Sequence, residues 1–451
     1  MATPPAVDPV PVEPQHGGFI DVERYLARIA RVNPAPLAGH VARVVGLVVE
    51  SEGPHASVGE ICEVRLTDGS SIPMEVVGFR DGRLLSVPLA DMAGICPGDR
   101  LIASGAARSI GIGDGLLGRV IDGLGRPIDG LGPLEITGDA PLQPPAINPM
   151  AREPVTRPLS TGVRAIDALL TCGRGQRIGV FGGSGVGKST LLGMIARGTE
   201  ADVVVLALVG ERGREVRSFL EQDLGSEGLA KSVVVVSTSD SPALARLRAA
   251  YAATSIAEGF RDAGRNVLLM MDSVTRFAMA QREVGLAAGE PPTVKGYPPS
   301  VFGLLPGLLE RAGSIRGKGS ITAFYNVLVE GDDNNEPISD AVRGILDGHI
   351  VLSRELAGRN HYPAIDVLSS ISRTMPAVTT AEHRAKAGQT REWMTLLRDS
   401  EDLISVGAYT PGTQPRLDAA IERRDAIRAL LCQPADMLGS LSDAVDALQA
   451  L

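Results

Sequence analysis

The stretch GGSGVGKST, residues 182–190, decides how this chain is read. Gly182 to Ser189 fits the pattern G-x-x-x-x-G-K-[ST]. Glycines let the backbone curl so that successive N–H groups face phosphate oxygens, the lysine reaches the terminal phosphates, and the Ser or Thr hydroxyl holds Mg²⁺. The chain's own composition sharpens the match. Arginine carries nearly all its positive charge; Lys188 is the first lysine, and Lys231, Lys295, Lys318 and Lys386 are the ones that follow. A lysine is a compact point charge where arginine is a planar fork, so a lysine placed here points to a need for that point charge. The flanks agree. QRIGVF (176–181) reads as a short buried strand and TLLGMIARGTE (190–200) as a helix. Strand, loop and helix in that order are the setting a phosphate-binding loop requires; the competing reading is a plain glycine-rich turn.

Such a loop works with a second oxygen ligand for the metal. NVLLMMD (266–272) is an apolar strand ending in Asp272, the form of a Walker-B strand. Hydrolysis also needs a group that orients or deprotonates water. VGERGREV (209–216) follows the apolar run VVVLALV, and a carboxylate just past the C-terminal end of a parallel strand lies where such sheets bind ligands. Glu211 is the candidate base, with Arg212 beside it. Glu215 is the rival, but four residues on it fits the start of a helix; on spacing alone the cluster could also be a solvated charged turn. SISR (370–373) sets Arg373 after the strand AIDVLSS. It could reach a phosphate in a neighbouring subunit as an arginine finger, or form a structural ion pair.

At 451 residues the chain exceeds one domain, and its formal charge of −9 argues against general nucleic-acid binding. Before residue 110 the aromatics are Phe19, Tyr25 and Phe79, too few for a base-stacking platform. The four cysteines (Cys62, Cys96, Cys172, Cys432) are far apart, without metal or disulfide spacing, which suggests a reducing cytosol. The N-terminus lacks the basic start and apolar run of a signal peptide, and no stretch approaches a membrane span.

Along the chain, residues 1–18 are Pro-rich and expected to be disordered. Residues 19–32 place Val22, Leu26 and Ile29 on one helical face, either the first helix of the fold or one that docks a partner or an anionic membrane. Regular short β-rich runs over 38–108, separated by Gly, Asp and Pro turns, predict a small β-barrel. LGRVIDGLGRPIDGLGP (117–133) contains a near-repeat read as two turns in a connector, and 141–158 as a Pro-rich linker. From 159 to about 375, strands at 178–181, 203–209, 233–237, 267–271, 320–329 and 364–371 alternate with helical patterns, the signature of a parallel sheet flanked by helices. After 380 the chain reads as helical. The expected division is a flexible N-terminus with an amphipathic helix (1–37), a β-barrel (38–110), a connector (111–158), a P-loop α/β domain (159–379) and a helical domain (380–451).

Together these residues resemble the flagellar and type III secretion ATPases, relatives of the catalytic subunit of rotary ATP synthases. The resemblance spans nearly the whole chain from about residue 40. It is carried by LLTCGRGQRIGVFGGSGVGKST (169–190), GERGREV (210–216), DSVTRFA (272–278), GYPPSVF (296–302), LLERAG (308–313), the long run 319–356 and VGAYTPGTQPRLDAAI (406–421). It implies a multidomain α/β fold: an N-terminal β-barrel, a central RecA-like domain with a mostly parallel sheet, and a C-terminal helical domain, assembling as a homo-hexameric ring. It implies that Gly182, Gly183, Ser184, Gly185, Val186, Gly187, Lys188, Ser189 and Thr190 hold the phosphates of ATP and that Ser189 and Asp272 serve Mg²⁺. Glu211 matches the catalytic glutamate, Arg212 its phosphate-contacting neighbour and Arg373 the arginine finger. Tyr362, in HYPAID, matches a tyrosine that lies against adenine, a role needing only an aromatic face; the residue could equally be a buried strand-edge aromatic. The implied partners are a dimeric regulatory stator protein on the N-terminus, a coiled-coil central stalk protein, export chaperones with their cargo, and a membrane export gate. That places the enzyme in the cytoplasm, peripheral to the inner membrane, without nucleic acid.

Two departures bear on the branch. Gly213 and Val216 stand where the rotary catalytic subunit has threonine and glycine, which favours the secretion branch. The loop GSIRGKG (313–319) is short beside many relatives, leaving open any role in the pore of the ring. DAVRGILDGHIVLSREL leans towards the flagellar export machine. The alternatives are an injectisome ATPase, a rotary ATP synthase catalytic subunit, a Rho-like RNA translocase and a nucleotide-binding scaffold without turnover. The translocase is disfavoured by an N-terminal region with no lysine, and the scaffold by the intact Lys188, Asp272, Glu211 and Arg373.

Overall fold

Two-residue turns set the register of the first part of the chain. The computed structural model describes Val22 and residues 37–104, 109–329 and 336–451. Six antiparallel strands, β1 (Ala38–Val45), β2 (Val48–Glu52), β3 (Ile61–Arg65), β4 (Ser71–Arg80), β5 (Arg83–Pro88) and β6 (Arg100–Ala103), close into a barrel in the order β1-β2-β5-β4-β3-β6. Val45 pairs with Val48 across Gly46–Leu47, and Arg80 pairs with Arg83 across Asp81–Gly82. Asp81 and Gly82 both sit at positive φ, 51° and 75°, the backbone that a two-residue hairpin turn demands and that Asp-Gly supplies at low cost. Inward-facing Val41, Val49, Cys62, Val64, Met74, Val76 and Leu101 fill the barrel, and closure leaves it no free edge.

The central sheet runs, in spatial order, Ile365–Ser372, Gly348–Leu352, Arg177–Gly182, Ser320–Leu328, Asn266–Asp272, Val203–Glu211, Ser232–Thr238 and Val120–Asp122. Every neighbouring pair is parallel except the first. Its middle strands are near-continuous apolar runs because both faces are covered. Along Val203–Glu211, Val203, Val205, Ala207 and Val209 enter the core under helices Ala243–Asp262 and Val274–Ala288. Val204, Leu206 and Leu208 enter a second core under the helix Lys188–Gly198. Successive side chains of a strand point to opposite faces, so one run of valine and leucine serves two cores.

The second core also takes Trp393, Ile427, Leu430, Leu431 and Leu448 from the helices Ala381–Asp399, Pro415–Leu431 and Leu441–Gln449. The helical end of the chain therefore leans on the same face of the sheet as the P-loop helix. The architecture matches the expected fold class: barrel, mostly parallel α/β domain, helical C-terminal part.

Two strands go beyond the sequence reading. Gly348–Leu352 lies between Arg177–Gly182 and the antiparallel edge. Val120–Asp122 leaves the near-repeat to become the far edge of the sheet, parallel to Ser232–Thr238. The two expected turns follow it. Asp122 accepts from the backbone N–H of Leu124 and of Arg126, each at 2.9 Å. Asp129 accepts from Leu131 N–H at 3.0 Å and holds the Arg119 guanidinium at 2.8 Å. The loop at 313–319 begins as a strand, Gly313–Ile315, paired with Ser320–Leu328 and with Arg152–Glu153 from the Pro-rich segment. The amphipathic helix expected over 19–32 lies, Val22 apart, outside the described residues. Among the described residues no helix is long and apolar enough to cross a membrane.

Arg311 joins the connector to the sheet domain. It donates to Leu142 O at 2.7 Å and Ser255 Oγ at 2.8 Å, and it pairs with Glu258, all buried. Breaking a buried pair from one side strands the other charge. Arg311→Leu is expected to lower stability by about 3 kcal/mol, the low end of the usual cost because Arg261 also stands 3.8 Å from Glu258. The measurement is the denaturant midpoint. The double variant Arg311→Leu/Glu258→Leu should recover most of the loss; no recovery would show that the neutral contacts of Arg311 carry the effect.

Candidate nucleotide site

The loop after Arg177–Gly182 is shaped by its glycines. Gly185 and Gly187 hold φ at 79° and 86°, where side chains other than glycine are strained. A Cβ on Gly182 would lie 3.0 Å from Leu352 Cβ, so that position is closed sterically as well. Gly182, Gly183 and Val186 are buried beneath the loop, Val186 in the second core, while Ser184, Ser189 and Thr190 are exposed. Lys188 opens the helix Lys188–Gly198 with its Nζ 3.1 Å from Gly182 O. The unpaired N–H groups at this helix start give the loop a positive end suited to an anion.

Three parallel strands end beside it. Ser184, Gly185, Gly187, Lys188, Ser189 and Thr190 share a cleft of about 670 Å³ with Glu211, Arg212, Glu215, Asp272 and Arg276. Asp272, 7 % exposed, ends Asn266–Asp272 and accepts from Asn326 Nδ2 at 2.6 Å. Glu211 ends Val203–Glu211 after an irregularity in the register at Gly210. Gly210 has φ 75°, and a Cβ there would fall 2.9 Å from Arg276 Cβ. The bulge re-aims the strand end and turns Glu211 into the cleft. Arg212 and Glu215 pair at 3.5 Å on the exposed rim, Glu215 in the first turn of the helix Gly213–Ser218, as its spacing suggested.

The charges are mutually perturbed. Glu211 is pushed up to about 7, by burial first, then by the Asp272 charge and a hydrogen bond shared with Glu215. Burial also raises Asp272, against the pull of Lys188 and Asn326. It lowers Lys188, against the pull of Asp272 and Glu211. Glu211, Glu215 and Asp272 thus share the cleft with Lys188, Arg212, Arg276 and Arg354, charges of both signs crowded into one partly buried space.

Two of the sequence candidates stand apart from the cleft. Tyr362 is half exposed beside the loop, its Cε1 3.6 Å from where a Gly187 Cβ would be. Its carbonyl accepts from Gln433 N–H at 2.9 Å, in the C-terminal part of the chain. Arg373 is exposed at the opposite end of the sheet: Ser372 pairs with Gly348, the first residue of the strand whose last residue, Leu352, abuts Gly182. The strand between, four residue steps from Gly348 to Leu352, spans roughly 13 Å at about 3.3 Å per step. Arg373 therefore lies at the far end of the sheet from its own chain's loop.

The sequence reading missed Arg276, Asn326 and Arg354. Arg354 lines the cleft wall. Arg276 lies four residues after Asp272, in the first turn of the helix Val274–Ala288 that follows the strand, a spacing that could have flagged it. Asn326 has no such signal: only strand register sets it opposite Asp272.

The same division of the chain recurs in known proteins. The nucleotide-binding domain of the ATP synthase alpha/beta family matches residues 162–372, the beta-barrel domain of that family 41–105, and the T3SS EscN ATPase C-terminal domain 379–450. A flagellum-specific ATP synthase of Bacillus subtilis is 54% identical over 419 residues, covering 92% of this chain and 94% of that protein. The chain belongs to this family. A type 3 secretion system ATPase of Xanthomonas euvesicatoria is 51% identical, covering 92% of this chain and 93% of that protein. The assembled ATPase EscN of enteropathogenic E. coli superposes with a TM-score of 0.86 at 47% identity, covering 91% of this chain and 99% of that one. EscN with its central stalk EscO gives 0.85 at 46%, with coverage of 91% and 99%. As a member of the family of flagellum-specific and type 3 secretion ATPases, this protein is an ATP-hydrolysing enzyme with a nucleotide substrate.

Two outcomes test the geometry. With Glu211 as the base, kcat/KM of the free enzyme should rise about tenfold per pH unit up to about pH 7 and then level, since that carboxyl, raised to about 7, must then be ionised. The same raised carboxyl makes the ligand-free fold less stable as pH climbs from the normal glutamate range through 7, because folding then favours the neutral form. Glu211→Gln should flatten that stability profile, measured by thermal unfolding. Gly210→Ala should cut kcat more than tenfold with an unchanged circular dichroism spectrum; full activity would show that the bulge does not aim Glu211.

Proposed function

We propose that the enzyme hydrolyses Mg-ATP between subunits of a homo-hexameric ring and that this turnover drives protein export through a flagellar type III secretion apparatus. The observation that carries the reading is the split site. Lys188, Asp272 and Glu211 converge on one cleft, while Arg373 is exposed at the far end of the sheet. A ring closes this gap by setting the Arg373 face of one subunit against the cleft of the next.

The phosphates of ATP would rest on Gly182 to Thr190, with Lys188 at the β- and γ-phosphates and adenine against Tyr362. The donors fit Mg²⁺, a hard cation that prefers oxygen. Asp272 and the Ser189 hydroxyl are oxygen donors at one cleft. Among the described residues no group of three or more His, Cys, Asp or Glu forms a metal cage, as expected of a cation held mainly by one carboxylate, waters and phosphates. Held by Asp272 and Ser189, the metal would supply positive charge beside the phosphates. Glu211 takes a proton from the attacking water. Arg212, Arg276 and the neighbour's Arg373 face the charge that develops.

The flagellar assignment is supported by the segment DAVRGILDGHIVLSREL and by identities of 54% to a flagellum-specific relative against 51% to a secretion one. EscN bound to its central stalk supports a stalk partner for the ring, which the resemblance makes a coiled coil. The resemblance adds a dimeric stator protein on the N-terminus, export chaperones with cargo, and a membrane export gate that holds the enzyme at the cytoplasmic face.

The test is ATP turnover against protein concentration. Specific activity should rise steeply with concentration, and Glu211→Gln and Arg373→Ala should each abolish it. Mixing the two inactive variants should restore part of it, since some interfaces then pair an intact Glu211 with an intact Arg373. Concentration-independent activity with a silent Arg373→Ala would overturn the shared site.

A further inference from the structure

Asn326 is an amide in an apolar strand. Its neighbours Phe324, Tyr325 and Val327 are fully buried, and Asn326 itself is 0 % exposed. A buried amide is tolerated when it is bonded. Asn326 is bonded on one side: Nδ2 donates to Asp272 Oδ1 at 2.6 Å, and Oδ1 has no hydrogen-bond partner. The orientation is forced, because only the NH₂ end can donate to a carboxylate. The orphan acceptor is thus a consequence of serving Asp272.

Register explains the placement. Met271 pairs with Tyr325, so the next positions, Asp272 and Asn326, lie side by side on adjacent parallel strands. On its other side Asn326 pairs with Val180, in the strand that leads into the P-loop. Met270 and Phe324, two residues earlier, both face the core under the P-loop helix, so Asn326 and Asp272 share that face.

We propose that Asn326 is a positioning residue for the metal at Asp272. Its Nδ2 fixes one carboxylate oxygen and leaves the other to the cleft, and its Oδ1 stands ready to accept from a water of hydrated Mg²⁺. Mg²⁺ gives up its waters reluctantly and usually keeps several, so a buried acceptor beside its ligand has a donor to meet. The inference rests on the reading of Asp272 as the metal ligand.

The test uses the full chain with ADP and Mn²⁺ as a paramagnetic probe of the metal position. Asn326→Val should weaken Mn²⁺ binding at least about tenfold, the usual effect of losing a group that orients a ligand. ADP binding without metal should stay at its wild-type value, while the unfolding midpoint should fall modestly because the buried Asp272 carboxylate loses its donor. In turnover, the KM for Mg²⁺ should rise while kcat at saturating metal stays within about twofold. In an Asp272→Asn background the Asn326 change should add nothing. Wild-type Mn²⁺ affinity in Asn326→Val overturns the proposal, as does an equal loss of metal-free ADP binding, the mark of a merely structural role. If Asp272→Asn alone weakens Mn²⁺, the reading of Asp272 stands and the inference falls. If Asp272→Asn also binds normally, both fall. Asn326→Thr, similar in size and still able to donate, gives the same comparison should the valine variant not fold, with partial retention of Mn²⁺ affinity expected.

Discussion

Parallel alignment is the constraint on which the rest of this molecule depends. The strands Arg177–Gly182, Ser320–Leu328, Asn266–Asp272 and Val203–Glu211 all run the same way, so their ends meet at one edge of the sheet. The P-loop, Asn326, Asp272 and Glu211 are far apart in sequence and adjacent only for that reason. Parallel pairing also requires long crossovers, and those crossovers are the helices that cover both faces. The site and the two cores are thus products of one decision about strand direction.

The cleft that results is electrostatically unfinished. Burial and the repulsion of neighbouring carboxylates raise Glu211 and Asp272, against the pull of Arg276 on both and of Lys188 on Asp272. A folded protein holds such a cluster at a cost in stability, which bound charge of the opposite sign relieves. The same perturbation that weakens the ligand-free fold sets Glu211 near neutrality, as the base role proposed for it requires. Arg276, with its Nε unbonded, and Arg212, on the rim, add the positive charge that an extra phosphate would meet.

Packing ties this edge to the rest of the chain. The P-loop helix shares its core with Trp393, Ile427 and Leu431 of the C-terminal helices. Gln433 joins that helical region to the loop of Tyr362 and, through Gly162 O and Arg164 N–H, to the entry of the sheet domain. A change of loop geometry at the nucleotide would therefore be felt first by the C-terminal helices. On the other face, Arg311, Glu258 and Ser255 hold the connector against the sheet. The two faces are bound to different parts of the chain.

Local chemistry made much of this legible in the sequence alone. The glycines of GGSGVGKST are read from backbone sterics, the apolar runs from two-sided burial, the short strands with Asp-Gly turns from hairpin geometry, and Asp272 and Glu211 from their places at strand ends. These rest on neighbours within a few residues, where sequence and structure carry the same information. Tertiary structure decided what depends on register and direction. Val120–Asp122 became a strand because the edge beside Ser232–Thr238 offered it hydrogen bonds, not because of its own pattern. Gly348–Leu352 is a short strand placed by its neighbours on both sides. Asn326 meets Asp272 across 54 residues through pairing alone. Arg373 lies at the far end of the sheet because its strand runs antiparallel, a direction no local pattern encodes, since strand propensity is the same for either sense of travel.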